Sequence, residues 1–168
     1  MTSVFGSMAS VAYKLVRLST KLGSNPNPER MGGYLFWAPY NLSAMCSTRI
    51  GEVSDPSKGD KYLGFSREKI FRTYADFIRD SDITVSSWQT RNERAHQYGG
   101  AVLFNRSGTV DEPVDVISFS GLAEQVDEAV SLMIGHELGL TDESFIGRVL
   151  VLSGNEVFPE LREAFRNS

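Results

Sequence analysis

Apolar and polar positions change period several times along the chain, and each change marks an element. Val11, Ala12, Leu15, Val16 and Leu18 form one apolar stripe. The spacing predicts an amphipathic helix over residues 1–23, stopped by Gly23 and the Asn-Pro-Asn-Pro that follows. Gly32-Gly33-Tyr34-Leu35-Phe36-Trp37 reads as a strand, with residues 44–53 as its partner across Asn41-Leu42-Ser43. Residues 54–61, SDPSKGDK, read as a polar loop. Ile70, Phe71, Tyr74, Ala75, Phe77 and Ile78 then recur at helical spacing and predict a helix from Ser66 to Ile78. Residues 81–94 hold a short helical turn around Trp88.

The most organised stretch runs from Tyr98 to Leu138. Gly99-Gly100 opens an apolar run, Ala101 to Phe104, and residues 105–113 are rich in Gly, Ser, Asn, Asp and Pro. Such residues supply turns, so the runs on either side are expected to be antiparallel neighbours. Val114 to Phe119 alternates only partly and reads as a mostly buried central strand. From Leu122, the apolar positions Val126, Ala129, Val130, Met133 and Ile134 predict a helix, capped by Ser120 or Gly121. Glu124 lies near its positive end, and the amides after Ser120 suit an anion as well as a cap. Phe145 to Leu152 reads as a strand, and Phe158 to Phe165 as a short terminal helix with Pro159 near its first turn.

This order, a Gly-Gly strand, a turn, a hydrophobic strand ending in Ser120-Gly121-Leu122, and a helix start with Asp127-Glu128, resembles the GlcG/HbpS-like heme-binding or heme-degrading domain. The resemblance is closest over residues 98–138 and looser over 32–138. It implies an α/β (α+β) fold of profilin-like layering, with an antiparallel sheet of about five strands and helices mainly on one face. The family often places a histidine just before the Gly pair; Tyr98 stands there, with His96 two residues earlier, and Glu128 occupies the place of a second histidine. The resemblance therefore implies a heme or other tetrapyrrole ligand near His96 or Tyr98, with Arg94 meeting a carboxylate and the Ser120-Gly121 amides lining the pocket.

Composition narrows the class without naming a reaction. The 168 residues suit one domain: a helix over 1–23, a core over 32–138 and an extension over 140–168. Hydrophobic residues make up 41%, no apolar run reaches a membrane span, and the net charge of −4 disfavours a nucleic-acid partner. The single cysteine, Cys46, excludes an internal disulfide and reads as a buried, inert thiol. Residues 1–30 have no acid before Glu29 but carry Lys14, Arg17 and Lys21, a composition shared with organelle transit peptides. An ordered helix, covering the sheet or a second copy in a homo-oligomer, is the preferred reading, and the cytoplasm the expected location.

Searches for catalytic motifs return negatives. His136-Glu137 opens like a zinc-protease helix, but Leu140 stands where the second histidine belongs, so no metal site is expected. No phosphate loop, dinucleotide fingerprint or complete nucleophile elbow occurs. Basic and acidic residues are segregated: none of residues 107–147 is Lys or Arg, whereas seven lie between Arg67 and Arg106. Such halves neutralise each other across the fold, or present Arg72, Arg91 or Arg94 to a carboxylated ligand. The aromatics Tyr34, Phe36, Trp37, Trp88, Tyr98 and Phe104 serve a core or a flat apolar ligand equally. The expectation is a small-molecule binding protein of the heme-binding type. The alternative is a cofactor-free isomerase or cyclase acting on a hydrophobic metabolite, with His96, Asp127 or Glu128 as base and Tyr98 as acid.

Overall fold

In a computed structural model, which describes residues 2–26, 29–53, 55–80, 85–105 and 113–168, the chain runs as helix, hairpin, helix, two strands and three helices. The elements are α1 (Thr2–Leu22), β1 (Met31–Ala38), β2 (Cys46–Glu52), α2 (Pro56–Arg79), β3 (Ala101–Phe104), β4 (Asp115–Ser120), α3 (Glu124–Glu137), α4 (Glu143–Ser153) and α5 (Val157–Arg166). Among the described residues no helix is long and apolar enough to cross a membrane.

The sheet is antiparallel in the order β2-β1-β4-β3. Among the described residues it has four strands where about five were expected. The missing one is the stretch from Phe145 to Leu152, which folds as α4. Its strand-forming Val and Ile residues suggested β structure, but Phe145, Ile146, Val149 and Ser153 are the buried positions, and that is helical spacing. Asp142 caps the helix by accepting the Phe145 N–H at 2.9 Å, and Gly154, left-handed at φ 62°, ends it.

A second correction concerns the helices, which cover both faces of the sheet. Leu35, Trp37, Val102, Phe104, Ile117 and Phe119 share one apolar cluster with Leu15 of α1, Val130 of α3 and Leu161 of α5. Phe36, Ala38, Ala101, Leu103 and Val116 face the other way, onto Ile70 and Phe77 of α2. The period-2 alternation of each strand thus feeds two cores, which is why Val114 to Phe119 is apolar almost throughout. The C-terminal extension adds a layer outside the sheet, with α5 lying on α1 and α3.

Helix α2 begins ten residues earlier than Ser66, so much of the expected loop at 54–61 is helical. Asp55 accepts the Ser57 N–H at 3.0 Å and Pro56 occupies the first turn, where its missing N–H costs nothing. Neither Ser120 nor Gly121 caps α3: Ser120 ends β4, and Ala123 stands at the cap with no side-chain bond. Around Trp88 there are hydrogen-bonded turns, Gln89 N–H to Ser86 O at 3.1 Å and Arg91 N–H to Trp88 O at 3.2 Å, and the helical turn is a 3-10 one at Glu93–Ala95. Most of the expected turn at 105–113 lies outside the described residues. Cys46 is half-buried at the start of β2 rather than buried.

At one end of the central strands the backbones of β1 and β4 come unusually close. Gly121, at φ 150°, lies against Gly32 and Gly33, and a Cβ on Gly33 would fall inside the contact distance of the Ser120 carbonyl. Gly33→Ala should therefore destabilise the protein by about 1–3 kcal/mol or more, read as a lower urea midpoint at unchanged slope. Gly6→Ala in α1, which meets open space, should be neutral or stabilising by up to about 1 kcal/mol. Equal midpoints for Gly33→Ala and the parent would show that the strands are not this close.

Candidate functional site

The same end of the sheet opens into a cleft of about 720 Å³. Its floor is an ion pair between the two helical layers. Lys69 of α2 is only 1% exposed and Asp127 of α3 only 3%. The Lys69 Nζ lies 3.2 Å from Asp127 Oδ2 and 3.0 Å from the Phe119 carbonyl, so the ammonium spans from one face of the sheet to the other around its edge. Asp127 Oδ1 accepts the Leu122 N–H at 2.9 Å, which fixes the turn from β4 into α3.

Gly100 makes this crossing sterically feasible. It has φ 123°, and a Cβ there would lie 2.7 Å from Lys69 Nζ and 2.8 Å from both Asp127 Cβ and the Phe119 carbonyl oxygen. Its own carbonyl accepts from Ser131 Oγ at 2.7 Å and from the Phe119 N–H at 3.1 Å. The Gly pair read from the sequence as a strand opening is thus also the passage for a buried charge.

One wall is a segment hung from α2. Arg72 donates to the carbonyls of Ser87 at 2.9 Å, Thr90 at 3.0 Å and Tyr98 at 2.7 Å. It thereby presents Trp88 and Tyr98 to the cleft beside Tyr62 and Phe65 of α2. Tyr98 meets Phe65 edge to face at 5.2 Å between centroids, and its hydroxyl lies 3.2 Å from His96 Nδ1. Glu124 ties this wall to α3, accepting the Gly99 N–H at 2.9 Å and pairing with Arg91 at 2.8 Å. The opposite wall is the backbone from Ser120 to Ala123, and Arg30, Lys58 and Lys61 stand at the rim.

The expected site residues separate into two groups. Tyr98, Ser120, Gly121 and Asp127 line the cleft; His96, Arg94 and Glu128 are not among its lining. His96 and Arg94 are exposed, and His96 takes the left-handed φ of 55° at the end of the 3-10 turn. Glu128 is fully buried behind the floor, accepting from Ser86 Oγ and from Asn155 Nδ2, the latter at 3.0 Å. Of the arginines considered for a ligand carboxylate, Arg72 and Arg91 are committed to the wall itself.

Sequence reading missed Lys69 as a site residue. The signal was present: Ser66, Lys69, Ile70, Thr73 and Phe77 fall on one buried stripe of α2, and a lysine in such a stripe needs a buried partner. Burial pushes the Asp127 carboxyl above its ordinary value, against the opposing pull of Lys69 and the Leu122 N–H. Burial likewise raises Glu128, only partly offset by hydrogen bonds from Ser153, Ser86 and Asn155. Comparison of the chain with protein-family models, with curated proteins and with solved structures finds no match.

Two measurements probe the floor. Lys69→Met or Asp127→Leu alone should cost about 3–5 kcal/mol by stranding a buried charge, while the double variant should recover much of that loss; additive losses in denaturant unfolding would show that the two groups do not interact. Glu128 sets a pH dependence. Well below pH 4.5, the ordinary glutamate value, folded and unfolded chains both hold the proton and its stabilisation is complete. As pH rises toward the higher folded value the unfolded chain releases the proton first, so stability falls, by at most about 1.4 kcal/mol per pH unit. Glu128→Gln should flatten that decline, and a parallel decline in the variant would remove Glu128 as its source.

Proposed function

We propose that the protein binds a flat, largely apolar small molecule carrying acidic groups. The observation that carries the reading is the lining of the cleft. Four aromatic residues, Tyr62, Phe65, Trp88 and Tyr98, line the cleft together with the β4–α3 turn, and the lining holds four cations, Arg30, Lys58, Lys61 and Lys69, against two carboxylates, Glu124 and Asp127. Both carboxylates are already paired, with Arg91 and Lys69, and Lys58 is paired with Asp55 at 3.9 Å, so the surplus positive charge of the lining sits at Arg30 and Lys61 in a chain whose net charge is −4. A volume near 720 Å³ is in the range of small-molecule pockets, and aromatic faces with few polar groups suit a planar ligand.

Heme is our specific candidate within that class, and a GlcG/HbpS-like relationship would account for it. Its carboxylates would meet the basic rim and its ring the faces of Trp88, Phe65 and Tyr98. The residues suit the iron through one donor: Tyr98 lines the cleft with its hydroxyl 3.2 Å from His96 Nδ1, and a tyrosine oxygen is a heme-iron ligand type. Bound heme would supply an iron centre; the chain's own part is to hold the ring, orient the phenol and exclude water. The alternative, a cofactor-free isomerase or cyclase, has weaker support, because two of its three candidate bases, His96 and Glu128, stand outside the cleft.

Titration with hemin should give a Soret shift that saturates at one equivalent. Arg30→Ala combined with Lys61→Ala should weaken binding about tenfold, the worth of roughly 1.4 kcal/mol, and Tyr98→Phe should alter the spectrum of the complex. A spectrum that never saturates, or one indifferent to both the rim and Tyr98, would overturn the proposal.

A further inference from the structure

Lys69 invites a chemical question beyond ligand binding. An ion pair that merely joins two helices needs no opening beside it, yet here Lys69 is one of the residues lining an aromatic cleft while only 1% exposed. Two acceptors among the described residues, the Phe119 carbonyl and Asp127 Oδ2, engage two of its three hydrogens. The third has no acceptor among the described residues. A lysine held away from water beside a group able to take its proton is the arrangement from which carbonyl condensation proceeds.

We propose that Lys69 forms an imine with a ligand that carries an aldehyde or ketone, with Asp127 moving the protons and then serving as the counter-ion. The ammonium gives one proton to Asp127 Oδ2, 3.2 Å away. The neutral amine adds to the carbonyl carbon, forming the C–N bond, and a proton passes from nitrogen to oxygen to give a carbinolamine. Asp127 returns its proton to the departing hydroxyl, which leaves as water when the C=N bond forms. The net change is ammonium plus carbonyl to protonated imine plus water, with no oxidation or reduction.

Charge conservation supports this course. A protonated imine keeps the positive charge on the same nitrogen, so the buried pair with Asp127 survives the reaction and no uncompensated charge is left in the floor. Burial of the Asp127 carboxyl, which raises its proton affinity, brings it closer to that of the amine. The rest of the cleft defines the ligand class. A conjugated or aromatic ring lies between Trp88 and Phe65, the carbonyl lies at the floor, and an acidic group at the far end meets Arg30, Lys58 and Lys61. This inference rests on the reading of the cleft as a small-molecule site and narrows it: protoheme has no aldehyde or ketone, so hemin tests only the shape and charge of the cleft.

The experiment uses the full chain with 4-carboxybenzaldehyde, an aromatic aldehyde with a distal carboxylate, at one equivalent in the presence of cyanoborohydride, followed by peptide mapping. The expected result is a single carboxybenzyl group on Lys69, although other lysines, such as Lys58 with a side chain 57% exposed, are far more accessible. Terephthalate, which fills the same space without an aldehyde, should slow the labelling, and Asp127→Asn should slow it at least tenfold. Lys69→Arg, which keeps the cation, should abolish it. Labelling spread over the exposed lysines, with Lys69 unmodified, overturns the proposal. If hemin still saturates in that case, only the carbonyl chemistry falls; if hemin fails as well, the reading of the cleft falls with it.

Discussion

A charge cannot be left alone in a protein interior, and the pairing of Lys69 with Asp127 imposes that rule on the whole fold. The two residues belong to helices on opposite faces of the sheet, so they can meet only where the sheet ends. That requirement places α2 and α3 relative to one another, demands a residue without a side chain at Gly100, and draws the Phe119 carbonyl out of the ladder to complete the ammonium's hydrogen bonds. The cleft is a consequence. Where β4 stops and its chain turns through Ser120 to Ala123 into α3, the sheet no longer fills the space between the layers.

Charge segregation along the chain has the same explanation. Basic residues between Arg67 and Arg94 and acidic residues beyond 107 are brought together at this end of the molecule: Lys69 meets Asp127, and Arg91 meets Glu124. The pairs differ in kind. Arg91 and Glu124 are partly exposed, with side-chain exposures of 32% and 23%, so their attraction is screened and serves chiefly to hold the wall in register. Lys69 and Asp127 are shielded from water, where loss of either partner is costly. Two apolar cores would otherwise allow the layers to slide; a buried pair with one geometry does not.

Much of this architecture was legible from periodicity. The hairpin of β1 and β2, the strands β3 and β4, and helices α1, α3 and α5 lie within a few residues of where the pattern puts them, because alternation and helical spacing report which face is buried. α4 was misread because Phe145, Ile146, Val149 and Val151 favour strands intrinsically, while the buried positions follow a helical period. The two-sided covering of the sheet was written in the apolar residues on both faces of β4, Val116 on one and Ile117 and Phe119 on the other, but was outweighed by the family pattern. Of the residues that line the cleft, Tyr98, Ser120, Gly121 and Asp127 were singled out from the sequence, since they mark a turn and a helix start. Lys69 was not, because a lysine is ordinarily assigned to a helix's wet face; nor were Arg30, Lys58 and Lys61, whose shared rim is created by tertiary folding and has no local signature.

The wall carrying Trp88 and Tyr98 is joined to the scaffold in an unusual way. Residues 85–87 run along β3, with the Leu103 N–H bonded to the Val85 carbonyl at 2.8 Å, and the stretch beyond them hangs from one guanidinium through main-chain carbonyls at Ser87, Thr90 and Tyr98. Carbonyls are supplied by every residue, so most of the grip of Arg72 is on the backbone, with one further bond to Thr90 Oγ1 at 2.5 Å. The cleft-lining positions 88 and 98 can therefore change while the frame stays put, much as an interchangeable blade fits a fixed handle. Gln89, Thr90, Arg91 and Asn92, in contrast, hold the frame with their own side chains. A scaffold of this kind separates the inheritance of shape from the inheritance of taste, and descendants of one ancestral fold can come to hold quite different molecules over the same charged floor.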